Sequence, residues 1–151
     1  MTQIRPARSE DAEAVSVVAR AAFSPYVGRL GDIEPWPMHV DYGDKIARGH
    51  TWVAEDAGAV VGLLVLEPHH DHLLLDIIGI VPGHQGTGIG RRLLAVADEQ
   101  AKALGLPEVR LYTNVVMTEN LAYYPRHGYV ETHRDQVGPY HRVFFTKVLA
   151  G

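Results

Sequence analysis

The chain has 151 residues, a length typical of one domain with an ordinary hydrophobic core. It contains no cysteine, which excludes disulfides, thiolate metal ligands and a cysteine nucleophile. The formal net charge of −4 argues against general nucleic-acid binding, because affinity for phosphates depends on clustered lysine and arginine. No segment has the apolar length of a signal peptide or a membrane span, so we expect a cytoplasmic protein without a membrane partner.

The first part of the chain predicts two helices around an irregular segment. Apolar residues at helical spacing predict the first helix, at Val15, Val18, Ala19 and Ala22. The proline of Ser24-Pro25 ends it, because the residue before a proline disfavours helical backbone. In chain order the expected elements are a strand over residues 3–5, a helix capped by Ser9, an ordered loop over 24–38, and a short helix over 40–48 closed by Gly49.

The second part of the chain predicts an antiparallel meander, one long helix and three more strands. Apolar, β-branched runs between turn residues predict the meander strands over 51–54, 59–66 and 73–81. An apolar stripe that includes Ile89, Leu93 and Leu104 predicts a helix ending at Gly105. The remaining expected elements are a strand over 109–113, a short helix from Thr118, and strands over 129–132 and 142–149. We expect one α+β domain over residues 1–151.

The sequence VPGHQGTGIGRRLL, residues 81–94, joins a predicted strand to the long helix. Gly86, Gly88 and Gly90 alternate there, so consecutive backbone N–H groups are available to an anion at a helix N-terminus. The following Arg91 and Arg92 oppose the helix dipole unless an anion binds beside them. The spacing excludes the dinucleotide-binding fingerprint and the Walker motif. A phosphate site and a glycine-rich turn with solvated arginines both remain open.

The segment from Gln85 to Gly90 resembles the Q/R-x-x-G-x-G/A loop of the GNAT superfamily of acyl-CoA-dependent N-acyltransferases. As in that family, an apolar strand and the tripeptide Ile80-Val81-Pro82 precede the segment. Downstream lie L-Y-T-N at 111–114, M-T-E-N at 117–120, and Tyr124 followed by Gly128-Tyr129, which is similar to the family's Y-x-x-x-G-F/Y ending. The resemblance extends from residue 4 to residue 149 and is densest from 73 to 130.

The resemblance implies a mixed α+β fold with a mostly antiparallel sheet, one central parallel and splayed strand pair, over 73–81 and 109–114, and about four flanking helices. It also implies acetyl-CoA as cosubstrate, with its pyrophosphate on the glycine loop and its pantetheine arm along the preceding strand. The expected cofactor-binding residues are Ile78, Ile80, Val81, Gln85, Gly86, Thr87, Gly88, Ile89, Gly90, Arg91, Asn114, Asn120 and Tyr123.

Acyl transfer to an amine needs a base, because the amine is mostly protonated at neutral pH. Asp76 is the candidate, since it is the acid inside the predicted strand that leads to the glycine loop, where many relatives carry a glutamate. A surface aspartate is an equally good interpretation. A backbone N–H freed by a bulge near residues 78–80 would stabilise the oxyanion, with Gly79 permitting close approach.

By resemblance, Tyr124 is the acid that protonates the departing thiolate, and the alternative is a packed aromatic residue. Pro125 follows it directly, and proline disfavours αR backbone in its predecessor. Whether Pro125 displaces Tyr124 stays open from the sequence, and Tyr123 is the spare candidate for the acid.

Residues 24–44 are rich in aromatic and acidic side chains, which suits a pocket for a cationic amine. A solvated acidic loop with aromatic anchors is the alternative. The candidate substrate-binding residues are Tyr26, Trp36, Met38 and Tyr42. His69, His70 and His72 have metal-like spacing but no second group of ligands, so we expect no metal site.

Two functions of different classes fit this sequence. The first is an N-acetyltransferase that works by direct attack in a ternary complex, because no cysteine can carry the acyl group. Its partners are acetyl-CoA and an amine-bearing acceptor, and the protein is a monomer or a homodimer. The second is a non-catalytic acyl-CoA-binding sensor or interaction module. Such a module needs neither Asp76 nor Tyr124, so the presence of both favours the enzyme.

Overall fold

The computed structural model describes residues 2–150. Within them the strands are β1 (Thr2–Pro6), β2 (Thr51–Asp56), β3 (Ala59–Pro68), β4 (Leu73–Ile80), β5 (Glu108–Asn114), β6 (Val130–Val137) and β7 (Tyr140–Val148). The helices are α1 (Ala12–Phe23), α2 (Tyr42–Ala47), α3 (Ile89–Ala103) and α4 (Thr118–Tyr123). Short 3₁₀ turns cover Ser9–Asp11, Ser24–Tyr26, Trp36–His39 and Tyr124–His127.

The seven strands form one mixed sheet in the order β1-β2-β3-β4-β5-β7-β6. The pairs β1–β2, β2–β3, β5–β7 and β6–β7 are antiparallel, whereas β4 is parallel to β5 and pairs residues 73–75 with 109–111. A parallel pair needs a crossover connection, which α3 supplies. The predicted mixed α+β fold class is confirmed. The described residues form two compact units: those up to 66 together with 77–95, and residues 67–76 together with those from 96 on.

The core of the first unit packs the apolar face of α1 and α2 onto strands. Its buried residues are Val15, Val18, Ala19, Tyr42, Ile46, Val53, Leu63, Val65 and Ile77. A Cβ atom at Gly79 would lie 3.0 Å from the Cβ of Ala22 and 3.2 Å from the Cδ2 of Leu63. Gly79 is therefore needed for close packing of α1 on β4.

A charged cluster fixes the start of α1. The carboxylate of Asp11 accepts hydrogen bonds from the Arg8 backbone N–H at 2.7 Å and from the Arg5 guanidinium at 2.8 and 3.1 Å. Glu55 on β2 binds the same guanidinium at 2.8 Å. The prediction that Ser9 caps the helix is wrong, because Ser9 is the first residue of a 3₁₀ turn whose N-cap is Arg8, and Asp11 accepts the Arg8 backbone N–H. The hydrogen bonds from Arg5 lower the pKa of Asp11.

Replacing Asp11 with asparagine should lower the free energy of unfolding by about 1–3 kcal/mol at neutral pH, because Arg5 loses a largely buried charged partner. Asp11 has a lowered pKa in the folded chain, so its carboxylate stabilises the fold above the ordinary value of 3.8 and stops doing so as the pH falls through the folded value. Denaturant titrations of wild type and Asp11→Asn should therefore converge in acid. Glu10→Gln, at an exposed pair with Arg8, is the control and should change stability by less than about 0.5 kcal/mol. Equal stabilities at neutral pH would contradict this account.

The second unit is built on the antiparallel ribbon β5–β7–β6. Its buried residues include Leu73, Leu75, Val109, Leu111, Val143 and Phe145. Every residue of β6 is exposed, and this strand continues to Val137, past the predicted end at 132. Pairing with β7 extends β6 through a polar stretch that shows no alternation in the sequence. Leu104 lies beyond the end of α3 and is 46% exposed, so its place in the predicted apolar stripe is wrong. Among residues 2–150, none of the helices has the length and apolarity to cross a membrane.

Candidate active site

The glycine loop, defined as residues 81–91, joins β4 to α3 in the first unit. Gly86 and Gly88 have left-handed backbone, with φ of +78° and +89°, which favours glycine over residues with a Cβ. A Cβ at Gly86 would have nothing within 4 Å, and one at Gly88 would meet only the Arg91 Nη2 at 4.0 Å. Gly90 lies in the first turn of α3. The backbone at the first two glycines therefore faces open space.

The backbone N–H groups of residues 85–91 donate to no other backbone group among residues 2–150. The next N–H, that of Arg92, starts the helix by donating to the carbonyl of Gly88 at 3.1 Å. The first turn of α3 contains no acid, and Arg91 is exposed beside it. Unpaired donors, a helix N-terminus and a guanidinium together provide a site for an anion such as a phosphate.

Side chains of the glycine loop hold its shape. Gln85 Nε2 donates to the carbonyl of Ile80 at 3.3 Å, and Thr87 Oγ1 donates to the carbonyl of His84 at 2.5 Å. The imidazole Nε2 of His84 lies 3.4 Å from Asp56 Oδ2, at the end of β2. His84 was not predicted as part of the loop's support, because its partner Asp56 is distant in the chain. Gln85 thus binds the end of β4, and Thr87 binds the loop's own backbone.

β4 alternates between buried and half-buried residues, and Asp76, Ile78 and Ile80 share the half-buried face. Val81, the next residue, is also half-buried, and its N–H donates to the carbonyl of Val61 at 2.9 Å. The aliphatic residues predicted to bind the cofactor, Ile78, Ile80 and Val81, therefore retain some accessible surface.

Asp76, the predicted base, belongs to the second unit and is held by Tyr112 of β5. The Tyr112 hydroxyl donates to Asp76 Oδ1 at 3.2 Å. Burial raises the pKa of Tyr112 and the neighbouring carboxylate raises it further, so the phenol keeps its proton and remains a donor. The guanidinium carbon of Arg142 lies 4.2 Å from the centre of the Tyr112 ring. Sequence reasoning missed Tyr112 and Arg142 as neighbours of Asp76, because strand pairing and register bring them together.

Tyr124, the predicted acid, is the first residue of the 3₁₀ turn after α4 and is 6% exposed. Its φ and ψ of −65° and −40° are helical, so Pro125 does not move Tyr124 out of αR backbone, which answers the question that the sequence left open. The helix tightens to a 3₁₀ turn at this point, and a proline near the start of a turn removes no needed N–H bond. The Tyr124 ring packs against the rings of Tyr129 and Phe145, each with centroids 5.8 Å away.

Tyr123 is half-buried, and its ring centroid lies 4.3 Å from that of His127. Asn120 donates through Nδ2 to Thr113 Oγ1 at 3.0 Å, which ties α4 to β5. Asn114 accepts the Val116 N–H at 3.1 Å, and its buried Nδ2 has no acceptor among residues 2–150. An unsatisfied buried amide marks Asn114 as a residue whose role packing does not explain.

In residues 24–44, the segment predicted to bind the acceptor amine, Tyr42 is a core residue. Tyr42 is 2% exposed, belongs to the first unit's core, and donates through its hydroxyl to the carbonyl of Pro37 at 2.5 Å. Its assignment to a substrate site is withdrawn, because almost none of its surface is available to a ligand. Trp36, Met38 and Tyr26 are half-buried, and the guanidinium carbon of Arg29 lies 4.9 Å from the centre of the Tyr26 ring.

The acids of that segment have local partners. Asp41 caps α2 by accepting the Asp44 N–H at 3.1 Å, and Asp44 itself pairs with Arg48 at 3.1 Å. Glu34 lies 3.1 Å from the imidazole Nε2 of His39. Three acids of this segment therefore stabilise α2 and the loop before it.

The histidine turn between β3 and β4 forms a stack of rings. The rings of His69 and His72 are parallel with centroids 4.6 Å apart, and His72 Nδ1 lies 2.7 Å from Asp71 Oδ1. Within residues 2–150, no group of three or more His, Cys, Asp or Glu side chains is placed to hold a metal ion.

Comparison with known sequences finds relatives among acetyltransferases. A mycothiol acetyltransferase from Jonesia denitrificans is 31% identical over 137 residues, covering 82% of this chain and 41% of that protein. An aminoalkylphosphonate N-acetyltransferase from Salmonella typhimurium is 32% identical over 90 residues, covering 56% of this chain and 58% of that protein. The chain thus spans between two fifths and three fifths of the length of these relatives.

Comparison with solved structures identifies the fold, and a family model identifies the family. The PaiA N-acetyltransferase from Thermoplasma acidophilum, solved in complex with coenzyme A, superposes with a TM-score of 0.82 over 99% of both chains at 21% identity. A GNAT-family protein from Desulfovibrio desulfuricans gives the same TM-score at 17% identity. The family model described as acetyltransferase (GNAT) domain matches residues 47–131, more than half of the chain. The chain therefore belongs to the GNAT family of acetyltransferases.

Proposed function

We propose that this protein is an N-acetyltransferase that transfers an acetyl group from acetyl-CoA to a primary amine. The observation that carries the proposal is the left-handed backbone of Gly86 and Gly88, which faces open space at the start of α3. Unpaired N–H groups there suit the pyrophosphate of acetyl-CoA. Membership of the GNAT family supports the same cosubstrate, as does the coenzyme A bound to a structural neighbour.

In this proposal the glycine loop binds acetyl-CoA mainly through its backbone, while Gln85 and Thr87 keep the loop in shape. Arg91 faces the phosphates from the first turn of α3. The half-buried aliphatic face of β4 accompanies the pantetheine arm. The proposed cofactor-binding residues are Ile78, Ile80, Val81, Gln85, Gly86, Thr87, Gly88, Ile89, Gly90, Arg91, Asn114, Asn120 and Tyr123.

Asp76 is proposed to accept the proton of the acceptor ammonium. The freed nitrogen lone pair attacks the thioester carbonyl, the C–N bond forms and the C–S bond breaks. The nitrogen then loses its second proton to solvent, and proton exchange with solvent returns Asp76 to its carboxylate and Tyr124 to its phenol before the next turnover. The hydrogen bond from Tyr112 fixes the rotation of the carboxylate during this step. Direct attack needs no acyl-enzyme, which agrees with the absence of cysteine.

Tyr124 is proposed to donate its phenolic proton to the departing thiolate, so that free CoA thiol leaves. Its ring is immobilised by Tyr129 and Phe145, and its backbone has regular helical geometry. A fixed donor lowers the barrier only if the hydrogen bond strengthens as charge develops on sulfur. The phenol of Tyr124 would then act in the transition state and contribute little to cofactor affinity.

The acceptor is proposed to be an amine that meets half-buried residues of the irregular segment, Tyr26, Trp36 and Met38. We further propose that the protein acts in the cytoplasm, because a chain without cysteine agrees with a reducing compartment.

Release of CoA thiol from acetyl-CoA in the presence of a panel of primary amines tests the proposed function. We expect amine-dependent release, together with a rise in melting temperature when acetyl-CoA alone is added. A rise in melting temperature without thiol release for any amine would support the non-catalytic acyl-CoA sensor instead. Absence of both effects would contradict acetyl-CoA binding altogether.

A further inference from the structure

Arg142 on β7 lies in the same side-chain cluster as Asp76 in the second unit. Its guanidinium carbon is 4.2 Å from the centre of the Tyr112 ring and 5.8 Å from that of Tyr140. The hydroxyl of Tyr112 bonds to Asp76 at 3.2 Å. One phenol therefore has a carboxylate at its hydroxyl end and a guanidinium over its face.

Within the part of the chain that the structure describes, the guanidinium of Arg142 has no carboxylate partner. Among residues 2–150, no hydrogen bond or ion pair joins its side chain to a protein acceptor, whereas Arg110 pairs with Glu108 at 2.6 Å. The residue opposite Arg142 on β6 is Asp135, but Asp135 Oδ1 accepts the N–H of Gln136 at 2.8 Å. A half-buried arginine presents a planar set of donors, and stacking on an aromatic ring satisfies none of them.

Charges of both signs surround the Tyr112 ring. The negative charges of Asp76 and Glu67 and the positive charge of Arg142 all act electrostatically on the Tyr112 phenol, with opposite effects on its pKa. A simple alkyl amine would use only the acidic part of this cluster. A molecule with an ammonium group and an acidic group separated by a few bonds would complement both parts.

We infer that Arg142 binds an anionic group of the acceptor, so that the acceptor class is a primary amine that also carries a carboxylate or a phosphonate. This inference rests on the proposed function, since it places the acceptor's amine beside Asp76. The planar guanidinium pairs with either acid through two parallel N–H bonds. Tyr112 contacts both recognition points, Asp76 through its hydroxyl and Arg142 through the face of its ring.

The test compares acceptors of similar length with and without an acidic group: propylamine, 3-aminopropanoate and 2-aminoethylphosphonate. Wild type should show a kcat/KM about 10- to 100-fold higher for at least one of the two acids, as expected for charge-assisted hydrogen bonds. Arg142→Gln should remove most of this preference through KM, and Arg142→Lys should retain part of it, because lysine keeps the charge without the planar fork. The two acids distinguish a carboxylate from a phosphonate.

Arg134→Gln is the matched control, because Arg134 lies on exposed β6 and pairs with Glu131. It should keep the preference of the wild type. Equal kcat/KM for propylamine and both acids, or an unchanged preference in Arg142→Gln, would overturn the inference. An Arg142 effect confined to the KM of acetyl-CoA would also overturn it.

Calorimetric titration of the same three compounds in the presence of CoA measures binding without turnover. If the acids bind wild type and fail to bind Arg142→Gln while no thiol is released, the proposed function fails and the binding site stands. If thiol is released from propylamine but neither acid binds through Arg142, the inference fails and the proposed function stands.

Discussion

Replacing Asp76 with asparagine should lower kcat/KM for the amine by about 10²- to 10⁴-fold, because the substitution removes the base and keeps the shape of the side chain. Asparagine Oδ1 can still accept the hydrogen bond that Tyr112 donates to the carboxylate. We therefore expect the fold and the affinity for acetyl-CoA to be retained. Steady-state kinetics of thiol release measures the loss.

The deficit of Asp76→Asn should shrink as the pH is raised, since the amine then loses its proton to bulk water. Asp135→Asn, on the exposed strand β6, is the control and should turn over like the wild type. Wild-type kcat/KM in a folded Asp76→Asn variant would exclude Asp76 as the base.

Replacing Tyr124 with phenylalanine should lower kcat by about 10- to 10³-fold, because only a hydrogen bond formed in the transition state is removed. The ring would keep its contacts with Tyr129 and Phe145, so the fold and the affinity for acetyl-CoA should stay within a few-fold of wild type. Pre-steady-state measurement of the transfer step distinguishes this loss from slow product release.

Tyr123→Phe is the matched control for Tyr124→Phe, since the two rings are neighbours with centroids 5.5 Å apart. The helical backbone of Tyr124 favours the assignment of the acid to Tyr124, so Tyr123→Phe should change kcat little. An exchange of the two phenotypes would make Tyr123 the acid. Wild-type kcat in both single variants and in the double variant would leave protonation of the thiolate to water.

Local sequence signals predicted the elements well and their ends less well. The apolar spacing of α1 is confirmed, because Val15, Val18, Ala19 and Ala22 are all buried. The predicted N-cap was wrong because a 3₁₀ turn that begins at Ser9 precedes α1, and its last residue, Asp11, is held by Arg5 and by the Arg8 N–H. The length of β6 was underestimated, since its polar residues owe their strand conformation to pairing with β7.

In the candidate site, too, local features were predicted from the sequence and long-range contacts were not. The glycine loop is visible in sequence, because left-handed backbone at Gly86 and Gly88 is a local property of glycine. The contact between Asp76 and Tyr112 spans 36 residues and depends on the parallel register of β4 and β5. Tyr42 was placed in a substrate site because residues 24–44 are rich in aromatic and acidic side chains, and only the packing of α2 shows it to be buried.

Long-range contacts in the second unit were also not predicted from the sequence. They involve the Asp98 carboxylate, Tyr129 and Lys147. Lys147 Nζ lies 2.6 Å from Asp98 Oδ2, and burial raises the pKa of Tyr129. Gly128, with φ of +91°, fits beneath this lysine, whose Cε would lie 3.2 Å from a Cβ at that position. The glycine of the Y-x-x-x-G-Y ending is thus explained by its left-handed backbone and by its packing against Lys147.

The rise in melting temperature caused by acetyl-CoA, measured in wild type, Gly88→Val and Gly105→Val, tests the account most directly. Both glycines have left-handed backbone, at φ of +89° and +72°, so valine strains the chain at either position. Only Gly88 belongs to the glycine loop, whereas Gly105 follows the end of α3. We predict that acetyl-CoA raises the melting temperature of wild type and Gly105→Val and leaves that of folded Gly88→Val unchanged. A wild-type rise in Gly88→Val would contradict the assignment of the loop to the pyrophosphate.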